Sequence, residues 1–202
     1  QELAARKTPV VLLGTTAPFG SQFLSVASDD EAASYEATQH LLQLGHRRIA
    51  FLAGPIAAPW AHERLAGYRR ALRDARVEPD DHLLFPAGST VEDGTRAAAQ
   101  LLPEISGFTA IQASSDLVAL GCGNTLLTHV VRIPQDLSWI GFGNLLSADF
   151  FRVPLTTMRQ PKRRLGTAAM DLMSKLLRNQ PAESVRLPAT LSIRASTAAP
   201  AS

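Results

Sequence analysis

The sequence predicts an α/β protein built on doubly wound parallel sheets. Short runs made only of apolar residues, such as VVLLG (Val10–Gly14) and IAFLA (Ile49–Ala53), are typical of strands buried on both faces. Segments of about 10–15 residues with helical periodicity separate these runs, and that alternation is typical of βαβ units. The composition, 46% hydrophobic and 19% charged over 202 residues, is that of a globular chain of one or two domains.

The elements follow one another in a regular order. Asp29 or Asp30 can N-cap a helix that Gly45 ends, with Ala33 and Leu41 on its apolar face. The other predicted strands are 23–27, 83–85, 109–113, 137–142, 155–158 and 191–193. The other predicted helices are 63–75, 91–102, 116–128 and 161–178, the last with proline in its first turn.

Several classes of function lack the residues they require. The net charge of +2 is too small to indicate a polyanion-binding surface, and the single Cys122, predicted to be a buried thiol, rules out a disulfide framework. No apolar run approaches the roughly 18 residues of a membrane span, so a cytoplasmic protein is expected. The five histidines lack metal-ligand spacing, and no nucleophile elbow, P-loop or dinucleotide fingerprint is present. We therefore predict no catalytic residues, no metal site and no cofactor.

Six short motifs, each weak alone, occur in order and at consistent intervals. With them the chain resembles the LacI/GalR family of bacterial transcription regulators over essentially its whole length. The motifs are GHRRIAFLAGP (45–55), RLAGY (64–68), SDLVALG (115–121), IPQDLSWIGFGN (133–144), PLTTMRQP (154–161) and IRAST (193–197).

The resemblance implies a core of two similar subdomains, like those of type I periplasmic binding proteins, with a small molecule between them. The predicted division is 1–54 plus 161–182 for the N-terminal subdomain, 55–160 plus 183–197 for the C-terminal subdomain, and a tail at 198–202. It also implies a homodimer and a helix-turn-helix headpiece for operator DNA. The headpiece and the first strands of the N-terminal subdomain are expected upstream, so that subdomain is incomplete here.

Arg64 is the leading candidate for contact with the effector. It follows a strand exit and stands in the first turn of its helix, where a cation is disfavoured unless it has a specific partner. A guanidinium can fork two hydrogen bonds to vicinal hydroxyls or to a carboxylate. The alternative is an ordinary solvated or salt-bridged arginine, but the resemblance matches Arg64 to the effector-contacting arginine of the family.

Ser115 and Asp116 open a helix directly after a strand. Both residue types suit a helix N-cap, which is the structural alternative, and this role can coexist with lining the ligand cleft. The resemblance places a polar ligand contact at Ser115.

Two positions depart from the family pattern. Gly143 stands where the family usually has an aspartate that hydrogen-bonds the effector, and Ser89 falls near a position that often carries a stacking aromatic. Trp60 can supply an aromatic wall instead, or simply pack at the crossover, and Asn144 can take over some of the hydrogen bonding. These departures predict an effector other than a simple hexose, or a degenerate pocket.

The one basic cluster is Arg159 with Lys162–Arg164. It lacks interleaved aromatic residues, which favours a solvated helix start over a phosphate-binding surface. The resemblance places Lys162 at the rim of the cleft, where it can meet an anionic group of the ligand.

These observations lead to one main hypothesis and two alternatives. The main hypothesis is the effector-sensing and dimerisation core of a LacI/GalR-type regulator that responds to a sugar or related polar metabolite. The first alternative is a periplasmic-type solute-binding protein, which shares the two-lobe architecture. The second, an enzyme of flavodoxin-like or sugar-processing type, requires a catalytic constellation that the sequence does not show.

Overall fold

The structure, a computed structural model, describes residues 8–17, 22–129, 131–145, 148 and 151–201. Its strands are β1 (Val11–Leu13), β2 (Leu24–Ser28), β3 (Ile49–Ala53), β4 (Leu84–Pro86), β5 (Ala110–Ala113), β6 (Ser138–Phe142), β7 (Thr156–Arg159), β8 (Val185–Leu187) and β9 (Thr190–Ser192). Its helices are α1 (Asp30–Gln43), α2 (Pro59–Asp74), α3 (Val91–Leu101), α4 (Asp116–Thr128) and α5 (Lys162–Leu177). Short 3₁₀ turns occupy Asp81–Leu83 and Leu102–Gly107.

The chain forms two compact units, of which unit 1 comprises Gln1–Asp30 and Gln160–Ala189. Its described strands form a parallel sheet in the order β1-β2-β8, and α5 packs on β1 and β2 through a small core around Val26, Leu165 and Leu172. The first strand is less buried than its apolar sequence predicts, because it lies at an edge of this sheet. Leu13 is 55% exposed there.

Unit 2 comprises Glu31–Arg159 and Thr190–Ser202 and carries the larger sheet, in the order β4-β3-β5-β6-β7-β9. All its neighbouring strands are parallel except β7 and β9, which are antiparallel. The central strands β5 and β6 are buried throughout, as their apolar runs predict. The predicted α/β fold with parallel sheets is confirmed.

The division between the units differs from the predicted one at residue 54. Strand β3 pairs with β4 on one side and with β5 on the other, so it belongs to the sheet of unit 2. The first boundary therefore follows Asp30, the first residue of α1, and the segment up to Ala189 stays with unit 1 because β8 pairs with β2.

Helices α3 and α4 of unit 2 touch through their backbones. A Cβ atom built on Gly121 of α4 would lie 1.8 Å from the carbonyl oxygen of Val91, and one on Gly94 of α3 would lie 2.2 Å from the carbonyl oxygen of Val118. Only glycine permits this approach at both positions.

Candidate functional site

The candidate site lies where β3, β5 and β6 of unit 2 end. Parallel strands place their carboxyl ends on one edge of the sheet, where α/β proteins form ligand crevices. The segments that follow these strands contain Gly54, Ser114 and Gly143, and α2 begins five residues after Gly54.

Arg64 of α2 is held among aromatic rings at this edge. The guanidinium carbon lies 3.6 Å from the ring centroid of Phe142, at the end of β6, and 4.5 Å from that of Trp60. Nη1 donates a hydrogen bond of 2.5 Å to the carbonyl oxygen of Ser114, at the end of β5. Arg64 is only 7% exposed, so it is a positioned group and not the solvated arginine of the alternative interpretation.

Trp60 closes one side of this cluster. A Cβ atom on Gly54 would lie 2.6 Å from two ring atoms of Trp60, so the indole covers the exit of β3 as well as contacting Arg64. Both predicted roles of Trp60, packing at the strand exit and forming an aromatic wall, are compatible with this position.

A buried polar network fixes the backbone that carries Arg64. The Ser34 hydroxyl of α1 donates to the carbonyl oxygen of Arg64 at 2.6 Å, and Gln112 of β5 donates to the Ser34 hydroxyl at 2.7 Å. The Thr38 hydroxyl donates to the Gln112 side-chain oxygen at 2.7 Å. Helix α1 also packs closely on α2, because a Cβ atom on Gly67 would lie 2.1 Å from the carbonyl oxygen of Glu31.

Ser115 and Asp116 have separate roles. Ser115 is the N-cap of α4 and accepts a hydrogen bond from the Val118 amide at 3.3 Å. Asp116 is the first helical residue and not a cap; its carboxylate accepts from the Thr157 hydroxyl at 2.6 Å and from the Leu145 amide at 2.7 Å. A negative charge at a helix N-terminus is favourable. The two hydrogen bonds of this carboxylate connect β7 and the segment after β6 to α4.

Gly143 and Asn144 follow β6 in left-handed backbone conformations, with φ values of +126° and +49°. A Cβ atom on Gly143 would lie 3.9 Å from Oδ2 of Asp116. The Asn144 side-chain oxygen accepts from Nη2 of Arg194 at 2.8 Å. This bond gives Asn144 a role in holding the backbone after β6.

The other two predicted residues belong to other elements of the fold. Ser89 follows β4, and its amide donates to Oδ2 of Asp93 at 2.8 Å in the loop that begins α3. Lys162 is the first residue of α5 and belongs to unit 1, where Arg163 and Arg164 beside it are also exposed.

Within the described ranges, no group of three or more His, Cys, Asp or Glu side chains is arranged to hold a metal ion. In the same part of the chain, no helix has the length and apolar character needed to cross a membrane.

Comparison with known proteins identifies the family of this chain. A family model for the periplasmic binding protein-like domain matches residues 38–197. A crystal structure of a LacI family transcriptional regulator from Mycobacterium smegmatis superposes with a TM-score of 0.91 at 31% identity, covering 98% of this chain and 74% of that one. The chain belongs to the LacI family.

Two further LacI-type regulators are similar to this chain in sequence or in structure. The HTH-type transcriptional repressor PurR of Vibrio atlanticus is 33% identical over 163 residues, which are 81% of this chain and 49% of the repressor. The structure of a LacI family transcriptional regulator from Enterococcus faecium with bound ribose has a TM-score of 0.88 at 30% identity, covering 98% of this chain and 73% of that one. The chain spans about half the length of the curated relatives it matches.

Among the residues predicted for the LacI-family site, the structure brings Arg64 and Trp60 into contact and places Gly143 beside Asp116. Sequence reasoning missed Phe142, whose ring carries the closest stacking contact of Arg64, and Ser114, whose backbone carbonyl accepts from it. Phe142 stands between Gly141 and Gly143 in the motif IGFGN, at the end of a buried apolar run, and that run gives no sign that its ring contacts an arginine.

Proposed function

We propose that this chain is the effector-sensing core of a LacI-type transcription regulator and that Arg64 anchors the effector. The observation that carries the proposal is the guanidinium fixed between Phe142, Trp60 and the carbonyl oxygen of Ser114 at the carboxyl edge of a parallel sheet. A guanidinium in a fixed orientation loses little freedom when it binds hydroxyl or carboxylate oxygens, and such preorganisation favours affinity.

The residue whose carbonyl oxygen accepts from Arg64 also carries a buried hydroxyl. Ser114 is 1% exposed, and its Oγ has no hydrogen-bond partner among the described protein atoms. Buried polar atoms are nearly always satisfied, so a ligand or a bound water is the natural partner for this hydroxyl.

The effector of this proposal is a sugar or a related polar metabolite. The regulator from Enterococcus faecium was solved with bound ribose, which supports this ligand class. Ser115, Asp116, Asn144, Ser89, Gly143 and Lys162 stay predictions as ligand contacts. Asp116 and Asn144 already accept hydrogen bonds from the protein through their side-chain oxygens, and these bonds help to shape the site.

The proposal extends to the whole regulator. Ligand binding shifts the equilibrium between two arrangements of the core, and a headpiece upstream then changes its affinity for operator DNA, with a homodimer as the working unit. The similar proteins reported above are transcription regulators, which favours this hypothesis over a periplasmic-type solute-binding protein.

A thermal-shift screen tests the anchor role of Arg64. Sugars, polyols, purines and sugar phosphates are added to the protein, and the melting temperature identifies a stabilising ligand. Arg64→Ala should abolish that stabilisation, and Arg64→Lys, which keeps the charge but not the planar fork, should weaken it. The matched control is Arg69→Ala on the same helix, where the arginine pairs with exposed Asp81 at 2.8 Å. Undiminished stabilisation of both Arg64 variants would refute the anchor role.

A further inference from the structure

A second feature at the carboxyl ends of β3 and β4 is an apolar pocket of about 310 Å³. It is lined by residues of the β3 exit, the first turns of α2 and the β4 exit: Ala53, Gly54, Pro55, Ile56, Ala61, His62, Leu65, Pro86, Ala87 and Gly88. Its size is at the lower end of the range for small-molecule sites, which are mostly apolar with a few polar groups.

The walls of this pocket are held in place by hydrogen bonds. His62 donates from Nε2 to the carbonyl oxygen of Ile56 at 2.5 Å, and the Ala87 amide donates to the carbonyl oxygen of Ala53 at 2.9 Å. On the β4 side, the Asp93 carboxylate accepts hydrogen bonds from the backbone amides of Ser89 and Thr90, at 2.8 and 2.9 Å. The pocket is therefore present before any ligand binds.

The interior offers little to a polar ligand. Among the lining residues His62 alone has a polar side chain, and that side chain already bonds to the Ile56 backbone. Ile56, on one wall of the pocket, is 84% exposed and so stands at its open side. An apolar cavity of this kind binds hydrocarbon groups better than it binds water.

Trp60 links the pocket to the Arg64 cluster. Its ring covers Gly54, which lines the pocket, and lies 4.5 Å from the Arg64 guanidinium carbon. Ser89 directly follows Gly88, the last lining residue of the β4 exit, and its small side chain adds no bulk beside the pocket.

From this geometry we infer that the pocket is an apolar subsite of the effector site. The effector then combines a polar part for Arg64 with an aromatic ring or a cyclic or branched hydrocarbon group of about six to eight heavy atoms, which enters between Leu65 and Ile56. This inference rests on the proposed function, and it names an amphipathic class of effector in place of a simple sugar.

Benzyl alcohol serves as the probe of the subsite, with glycerol as the polar comparison. Amide chemical shifts of the isotope-labelled protein are followed by NMR during titration with each compound. Benzyl alcohol should shift the amide signals of Gly54, Ile56 and Gly88 with millimolar affinity, and glycerol should not. Shifts elsewhere only, or equal shifts with glycerol, would overturn the subsite.

Variants make the test specific. Leu65→Gln places an amide in the apolar wall and should weaken benzyl alcohol binding about tenfold, or about 1.4 kcal/mol. Ile56→Ser, at an exposed position where folding is not at risk, should weaken it several-fold. The matched control Leu177→Gln, at an exposed position of α5 in unit 1, should leave benzyl alcohol binding unchanged. Equal affinity of all three variants and the parent protein would overturn the inference.

The subsite can fail independently of the anchor. Arg64→Lys should retain benzyl alcohol binding, because the guanidinium does not line the pocket. Loss of effector stabilisation in Arg64→Lys with intact benzyl alcohol binding supports both sites. Intact effector response without benzyl alcohol binding refutes the subsite alone.

Discussion

Replacing Gly143 by aspartate puts a side chain and a negative charge at the end of β6, and the structure predicts that this change destabilises the protein. Gly143 has a φ of +126°, a conformation that side-chain-bearing residues rarely adopt, and holding one there costs about 1–3 kcal/mol. The new Cβ atom would lie 3.9 Å from Oδ2 of Asp116. Two carboxylates about 5 Å apart repel by about 3 kcal/mol at an effective dielectric constant of about 20, and by less when the new side chain turns toward solvent.

The matched comparison is Gly143→Asn, which has the same shape and the same backbone strain but no charge. The difference in the free energy of unfolding between the two variants therefore isolates the charge repulsion. We expect it to be about 1–3 kcal/mol once the new side chain has moved away from Asp116. For a chain of this length that corresponds to a melting temperature about 2–12 °C lower for Gly143→Asp than for Gly143→Asn.

The pH dependence of this difference has a definite sign. A neighbouring negative charge raises the pKa of a carboxyl group, so the cost of the new aspartate is full at neutral pH and is lost as the pH falls and the carboxyl protonates. Thermal unfolding of both variants at about pH 7 and about pH 4.5 measures it. Equal melting temperatures at neutral pH, or a gap that widens in acid, would refute the reasoning.

Three further predictions concern the rest of the chain. Gly121→Ala should destabilise the protein by about 1–3 kcal/mol, because the new Cβ atom would lie 1.8 Å from the carbonyl oxygen of Val91. Gly166→Ala in α5, where a Cβ atom would have nothing within 4 Å, should instead stabilise the protein by about 0.5–1 kcal/mol. Urea unfolding measures both free energies, and equal effects would contradict the close contact at Gly121. Burial lowers the pKa of His46, so the unfolded chain binds a proton at a higher pH than the folded protein does, and stability should fall as the pH drops through about 6.5. The melting temperature of His46→Gln should fall less over the same pH range. An identical fall would show that protonation of His46 does not cause the loss of stability. Burial raises the pKa of the Cys122 thiol to about 12, so iodoacetamide at about pH 8 should modify it in urea but not in the native protein, and rapid native labelling would contradict its burial.

Local patterns of sequence were enough to predict most of the elements. The apolar run of β3 and the glycine that ends α1 are signals within a few neighbouring residues, and Gly45 has the expected positive φ of +103°. Strand β8 was missed because its three residues, VRL, carry no periodicity that separates them from a loop, and only pairing with β2 makes them a strand.

The boundary between the units was misplaced for a different reason. An apolar run such as IAFLA predicts a buried strand, but the same run suits either sheet, and the choice is made by pairing with residues far along the chain. Pairing of β3 with β5 joins segments about sixty residues apart, and no local pattern encodes that.

The site shows the same limit. Arg64 was singled out by its motif, which is local, but its predicted place in the first turn was wrong, because the helix begins at Pro59 and puts Arg64 in the second turn. Phe142, by contrast, looks in sequence like one more apolar residue of a buried strand. Ser114 contributes a backbone carbonyl, which any residue possesses, so its side chain gives no signal for the contact with Arg64.

The departures from the family pattern and the apolar pocket have one explanation. An aspartate at Gly143 of this chain would be strained by the backbone and repelled by Asp116, which disfavours that residue here. This chain has glycine at position 143 and serine at position 89, and the ring of Trp60 contacts Arg64 and covers Gly54, which lines the apolar pocket. Under the proposed function, these two small residues offer few polar contacts to a ligand, and apolar surface lies close to the guanidinium. An effector that gained its affinity from hydroxyl contacts alone would leave this surface exposed, whereas one that carries an apolar group beside a polar one uses both.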